Sequence, residues 1–288
     1  MVNLFIFLAA LFILSCGGGG GSSEGELIEG YFIDSPVENL RYKTSSGVEG
    51  LTDKTGKFFY RDGDIIKFYT GSILIGEAQG DYFISPLDLF KGYKDDIAPD
   101  DSMIKKLVSF FLYIDTDEKD FVLTVDENRL PVVDLKKSLT DCIFENDCPD
   151  EINKIISEKE NSAGQHLNNT YTYITAKFIS GCYEGSLIIT NKTIDSFCNI
   201  NNESIKILID NKGDIKGLIG ENKITGILKY KEISIDIPSS FGLSETLHGK
   251  LKRNSFSGDF ESVGCAGKFS ISKVDDNRCS DLNKQEDF

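Results

Sequence analysis

Seven cysteines, two histidines and a row of aspartates are the side chains of this 288-residue chain that could do chemistry. Asp115, Asp117 and Asp120 alternate along Asp115-Thr116-Asp117-Glu118-Lys119-Asp120. Alternating carboxylates are the oxygen donors that Ca²⁺ prefers, so this loop is the metal candidate. It lacks the Gly that lets a Ca²⁺ loop turn sharply, carries Asp126 where a twelfth-position Glu would close the site, and holds Lys119 within it. The competing reading is a solvated loop after a helix. His166 and His248 are far apart, and no Gly-x-Ser-x-Gly, His-Glu-x-x-His or phosphate-cradling motif accompanies them. The expectation is therefore no enzyme activity, no catalytic residues and no cofactor, with Ca²⁺ at the aspartate loop the one exception to test.

Cys16 belongs to different chemistry. Leu4 to Leu14 is an unbroken apolar run. A bilayer-spanning helix needs about 20 apolar residues, so this run has the length of a signal-peptide core instead. Ile13-Leu14-Ser15-Cys16-Gly17 follows and resembles the bacterial lipobox. The resemblance implies removal of residues 1–15, diacylglycerol on the Cys16 sulfur and an acyl chain such as palmitate on its new amine. Several buried acyl chains anchor durably where one does not. Residues 1–15 contain no Lys or Arg, which departs from the usual basic n-region. The alternative is a free secretion signal with Cys16 in a disulfide. Residues 16–25 are the lipidated cysteine and a Gly/Ser tether too poor in side chains to form a core. By resemblance to Gram-negative sorting rules, Gly17 implies the outer membrane, on its periplasmic or cell-surface face.

The other six cysteines are Cys142, Cys148, Cys182, Cys198, Cys265 and Cys279. An even set in an exported chain suggests three disulfides. The spacings are not of the zinc type, and no histidine is near. Cys142 and Cys148 are close enough for a local bridge. Two pairings remain open for the rest: Cys182 with Cys279 and Cys198 with Cys265, or Cys182 with Cys198 and Cys265 with Cys279.

The elements that must position these groups are mostly strands. With 46 acidic against 31 basic residues the net charge is -15, which argues against nucleic acid as a partner. Residues 26–90 alternate apolar and polar residues between Gly, Pro and Asp turns, as a small antiparallel β-sandwich does. Phe58 and Tyr60 share one face, as do Ile66 and Phe68, and Asp34-Ser35-Pro36 breaks the first strand. Asp53-Lys54-Thr55-Gly56 is a turn with Gly at a left-handed position. Gly30-Tyr31-Phe32-Ile33-Asp34-Ser35-Pro36-Val37, Gly50-Leu51-Thr52-Asp53-Lys54-Thr55-Gly56-Lys57-Phe58-Phe59-Tyr60 and Gly63-Asp64-Ile65-Ile66-Lys67-Phe68 together resemble the transthyretin-like, carboxypeptidase-regulatory-like modules of bacterial surface lipoproteins and adhesins. That family implies a scaffold or binding module, and it often carries an aspartate-rich loop after the helix that follows.

Residues 91–170 hold 18 acidic and 10 basic residues and read as a helical connector. One helix is predicted from Met103 to Ile114 behind Asp100, Asp101 and Ser102, and another from Pro149 or Asp150 to about Glu160. Residues 171–280 read as an antiparallel β-meander, an up-and-down barrel of about eight strands. Strands are predicted at 173–179, 182–190, 204–210, 214–219, 223–229, 231–236, 246–252 and 255–262, with 267–274 in addition. Gly217, Gly226, Gly249 and Gly258 inside strands mark bends or close approaches in a strongly curved sheet. Gly-x-Tyr-x-Gly at 181–185, Asp-Ile-Lys-Gly at 214–217, Ile-Thr-Gly at 224–226 and Ser-Phe-Ser-Gly at 255–258 resemble Gly-rich barrel domains that follow the same N-terminal module in bacterial lipoproteins. Residues 281–288 are a polar tail.

The functional expectation is a membrane-anchored envelope lipoprotein acting as a binding or adhesion module for a glycan, a small apolar molecule or a protein. The alternative is a structural or assembly lipoprotein of the outer membrane with no small-molecule ligand. An open apolar lumen would favour the first and a filled one the second. The chain has no Trp, so any sugar must stack on its 11 Tyr or 20 Phe.

Overall fold

A computed structural model describes residues 25–93, 97–98, 100–116, 121–192, 201–238, 245–262 and 265–283. The N-terminal strands are β1 (Ile28–Phe32), β2 (Val37–Glu38), β3 (Arg41–Thr44), β4 (Glu49–Leu51), β5 (Lys57–Tyr60), β6 (Ile65–Thr70), β7 (Ile73–Gln79) and β8 (Phe83–Ile84). They form a three-stranded sheet in the order β5-β1-β8 and a four-stranded sheet in the order β4-β3-β6-β7. The predicted faces are the observed ones: Phe58, Tyr60, Ile66 and Phe68 are fully buried, while Phe59 between two of them is exposed. Across the two sheets Phe32 meets Phe68 at 4.6 Å and Phe58 meets Phe68 at 5.6 Å between ring centroids. Gly56 turns the chain with φ +77°, and a Cβ there would stand 2.3 Å from the Phe32 carbonyl oxygen. Pairing is antiparallel except where β8 joins β1 and where β2 joins β9 (Leu123–Thr124).

The helices complete this core. Helix α1 (Ser102–Ile114) starts where the Asp101 side chain accepts the Met103 amide at 2.9 Å. Its Ile104, Leu107, Val108 and Phe111 are buried, and Phe111 packs on Phe32 at 5.7 Å. Helix α2 (Leu139–Glu145) opens with a capping box between Ser138 and Asp141, and the Cys142–Cys148 disulfide ties its end to the following turn. Helix α3 (Asp150–Ile174) is much longer than predicted. Its buried side chains Ile152, Ile155, Ile156, Ala163, Leu167, Thr170 and Ile174 continue one helical face past Glu160. That tertiary face overrides the strand propensity of Tyr171, Tyr173 and Ile174. The predicted strand at 173–179 is therefore helical, the end of α3 followed by a π turn at Thr175–Ile179.

Eight strands then close a barrel: β10 (Gly181–Lys192), β11 (Glu203–Ile209), β12 (Asp214–Ile219), β13 (Asn222–Lys229), β14 (Glu232–Ile237), β15 (Glu245–Lys252), β16 (Ser255–Ser262) and β17 (Cys265–Val274). Each pairs antiparallel with its neighbour in sequence, and β10 pairs with β17 to close the ring. A Cβ on Gly217 would stand 2.3 Å from the Lys206 carbonyl oxygen of the neighbouring strand, and one on Gly258 would stand 1.9 Å from that of His248. Both glycines allow the neighbouring backbone to come closer than any side chain permits, as tight curvature requires. Helix α4 (Ser280–Asn283) ends the described chain, and Cys279 before it is bonded to Cys182.

The barrel lumen is filled. Ile205, Ile207, Ile235, Leu247, Phe256 and Phe260 are each at most 1% exposed and belong to one apolar cluster. Ile33, Phe83, Ile174, Phe178 and Ile179 join that cluster from the chain before the barrel strands and stop one end of the barrel.

Candidate functional site

The aspartate loop begins at the C-terminal end of α1. Asp115 is 5% exposed, its Oδ1 accepts the Thr124 amide at 2.9 Å, and its backbone bridges to Val125. Asp117 and Asp120 lie outside the described residues, as do Cys16 and Cys198. Among the described residues no three His, Cys, Asp or Glu side chains form a group able to hold a metal ion. The Cys182–Cys279 bridge selects the pairing that joins the first barrel strand to the segment after the last, and excludes the local alternative. Cys265 is also disulfide-bonded.

Asp115 borders a cleft of about 440 Å³. One wall is the face of α3 carrying Lys159, Ser162, Gln165, His166 and Asn169, a spacing that stacks these side chains along one side of a helix. The facing wall is apolar, built from Leu112, Phe121, Val122 and Leu123. Ser35 closes the inner end. The strands place it there: β2 pairs with β9, the Leu123 amide donates to the Pro36 carbonyl at 3.0 Å, and the segment 34–38 is thereby stitched to the chain that follows the aspartate loop.

Ser35 of this cleft and its buried neighbour Asp34 are the unusual residues. Ser35 adopts a left-handed φ of +55°, which a residue other than Gly seldom takes. Its amide donates to the buried Thr170 hydroxyl oxygen at 3.0 Å, but its own hydroxyl oxygen is buried with no hydrogen bond. Asp34 is fully buried. His166 Nε2 donates to the Asp34 main-chain oxygen at 3.2 Å and lies 3.1 Å from its Oδ1, so the carboxylate meets the imidazole at ion-pair distance without an aligned hydrogen bond. Of the five buried side-chain polar atoms without hydrogen bonds among the described residues, three are on Asp34 and Ser35. Native interiors satisfy nearly all such atoms, and the Asp34 carboxylate has the His166 imidazole as its charged neighbour.

Burial disfavours the His166 imidazolium, and the Asp34 carboxylate, helped by Asp115, outweighs that burial and raises its pKa. The sequence places His166 near a helix end with no partner. Its partner is 132 residues away, and no local signal reports it. The Asp34-Ser35-Pro36 triplet is legible as a strand breaker, which it is, but not as a cleft wall.

A second concavity, about 1020 Å³, lies on the outer surface of the barrel across β13 to β17. His248 lines it, exposed on a strand as its alternation predicts. Lys250 pairs there with Glu232 at 3.2 Å, and Asp259 and Lys268 face one another across β16 and β17. This face carries both signs of charge, with the exposed Ile227 among them.

Fold and cleft define a β-sandwich and a filled β-barrel joined by helices, with a ligand-sized cleft beside the first module. No protein-family model, curated protein or solved structure matches the chain.

Proposed function

We propose that this chain is an envelope lipoprotein, tethered through Cys16 to the outer membrane, whose folded head binds a ligand and catalyses no reaction. The observation that carries the binding reading is the cleft itself, about 440 Å³, with a polar face of α3 on one side and apolar residues on the other. The non-enzymatic reading rests on His166, whose Nε2 faces Asp34 and not a nucleophile. Its lipid anchor rests on Ile-Leu-Ser-Cys-Gly at 13–17 and the apolar run before it. A small apolar ligand has no place inside the barrel, because the side chains that would line an open lumen fill it.

The filled lumen favours a second reading, a structural or assembly lipoprotein in which the barrel is a solid block. The two readings part at the cleft, which a purely structural protein does not need. Expression of the full chain with labelled palmitate tests the anchor: label is expected in the wild type and absent in Cys16→Ala, and equal label in both would refute it.

A further inference from the structure

We propose that the cleft between α3 and the segment 121–123 is a carbohydrate-binding site for a neutral mono- or disaccharide unit, an inference that rests on the binding reading above. The cleft's volume of about 440 Å³ is within the range of small-molecule sites. Its two walls differ in kind. The α3 wall presents hydroxyl, amide and imidazole groups on Ser162, Gln165, His166 and Asn169. The opposite wall presents the Phe121 ring, 45% exposed and held by Tyr173 at 5.1 Å between centroids. A pyranose has the same two characters. Its hydroxyls donate and accept at the rim, and its axial C–H bonds make an apolar face that lies on an aromatic ring.

The cleft carries both signs of charge, Asp115 against Lys159 and His166, so its charge selects neither an anion nor a cation. A neutral polyol meets either sign with a hydroxyl. A fatty chain would cover the apolar wall but leave the polar row of α3 desolvated without partners, which costs free energy for every group so buried.

Saturation-transfer NMR on the full chain in detergent is the test. The probes are glucose, galactose, mannose, N-acetylglucosamine and their β1,4-linked disaccharides, with trialanine and laurate as controls. At least one sugar is expected to bind with a Kd below about 10 mM. Asn169→Ala and Phe121→Ala are each expected to weaken it about tenfold or more, and His248→Ala, on the barrel surface, to leave it unchanged. Asn169 and Phe121 are exposed, so both variants are expected to keep the wild-type circular dichroism. No binding by any sugar overturns the proposal. So does sugar binding that neither variant weakens, or binding of trialanine or laurate that Asn169→Ala abolishes. The palmitate result at Cys16 is independent of all of these, so loss of the sugar site and loss of the lipoprotein reading are told apart.

Discussion

Lys231 and Asp88, 143 residues apart, meet in the interior with their charged atoms 3.4 Å apart. Lys231 is on the β13–β14 turn of the barrel, and Asp88 is in the short helical turn after β8. The lysine ammonium also reaches Asp81 Oδ2 at 2.8 Å and the Phe83 carbonyl at 2.6 Å, and lies over the Phe83 ring at 4.2 Å. The Tyr230 hydroxyl donates to Asp88, and Arg253 pairs with Asp62 at the next turn of the same barrel end. Two turns of the barrel thus plug into acidic residues of the sandwich, and the cleft and the barrel are carried by one head.

Removing the lysine should break that joint. Lys231→Met removes one of the two cations on the buried Asp88, Lys91 staying at 2.7 Å, and is expected to cost about 1–3 kcal/mol. Urea unfolding is expected to show that loss, and the double variant Lys231→Met/Asp88→Asn to recover part of it. A single variant as stable as the wild type would mean that the joint carries no load.

Acid should act on the same joint. Burial pushes the Asp88 carboxyl up, but Lys231 first, then Lys91 and Tyr230, outweigh it and hold its pKa at about 2. A carboxyl depressed by folding contributes stability above its unfolded value of about 4, and that contribution is lost as pH falls toward 2. Wild-type stability is expected to fall over this window more steeply than that of Asp88→Asn. Parallel curves would contradict the assignment.

His166 should act in the opposite direction. Its pKa is raised in the folded chain, so its pairing with Asp34 stabilises fully below about pH 6.5 and is lost as pH rises through the folded value. Urea midpoints between about pH 6 and pH 9 are expected to drop more in the wild type than in His166→Gln. A wild type that gains on the variant as pH rises would show that the imidazole is held neutral.

The sandwich strands, α1 and the barrel turns were legible because each follows a local rule. Phe58 and Tyr60 alternate with Lys57 and Phe59, Asp101 caps a helix whose apolar face repeats, and Gly213 and Gly220 take the left-handed turn positions with φ +91° and +56°. The end of α3 was not, because Tyr171-Thr172-Tyr173-Ile174 has strand propensity and only its packing against the sandwich and the barrel makes it helical. The cleft was least legible of all. Asp115 is found by its spacing, but Asp34, Ser35 and His166 are brought to it by contacts more than a hundred residues long. Neither periodicity nor motif registers such contacts.

Curvature at Gly258 gives a further test. A methyl group there has no space against the His248 carbonyl, so Gly258→Ala is expected to lose about 2 kcal/mol or more through displaced backbone. Gly92→Ala, with nothing within 4 Å of its added carbon, is expected to stay within about 0.5 kcal/mol of the wild type. Equal stabilities would show that the barrel tolerates a flatter β15–β16 pair.

The Cys182–Cys279 bridge spans 97 residues and holds the first barrel strand to the segment after the last. Its removal in Cys182→Ser/Cys279→Ser is expected to cost about 2–5 kcal/mol. Unreduced peptide mapping should give that cross-link and the Cys142–Cys148 loop. A peptide joining Cys182 to Cys198 would contradict the barrel closure described here.

The tether is the premise of the functional account, and the mature N-terminus tests it most directly. Mass spectrometry of the N-terminal peptide of the protein purified from membranes is expected to show a chain beginning at Cys16, carrying a diacylglyceryl group on sulfur and an acyl chain on the amine. A mature chain that begins elsewhere, or a Cys16 free of lipid, would contradict the account.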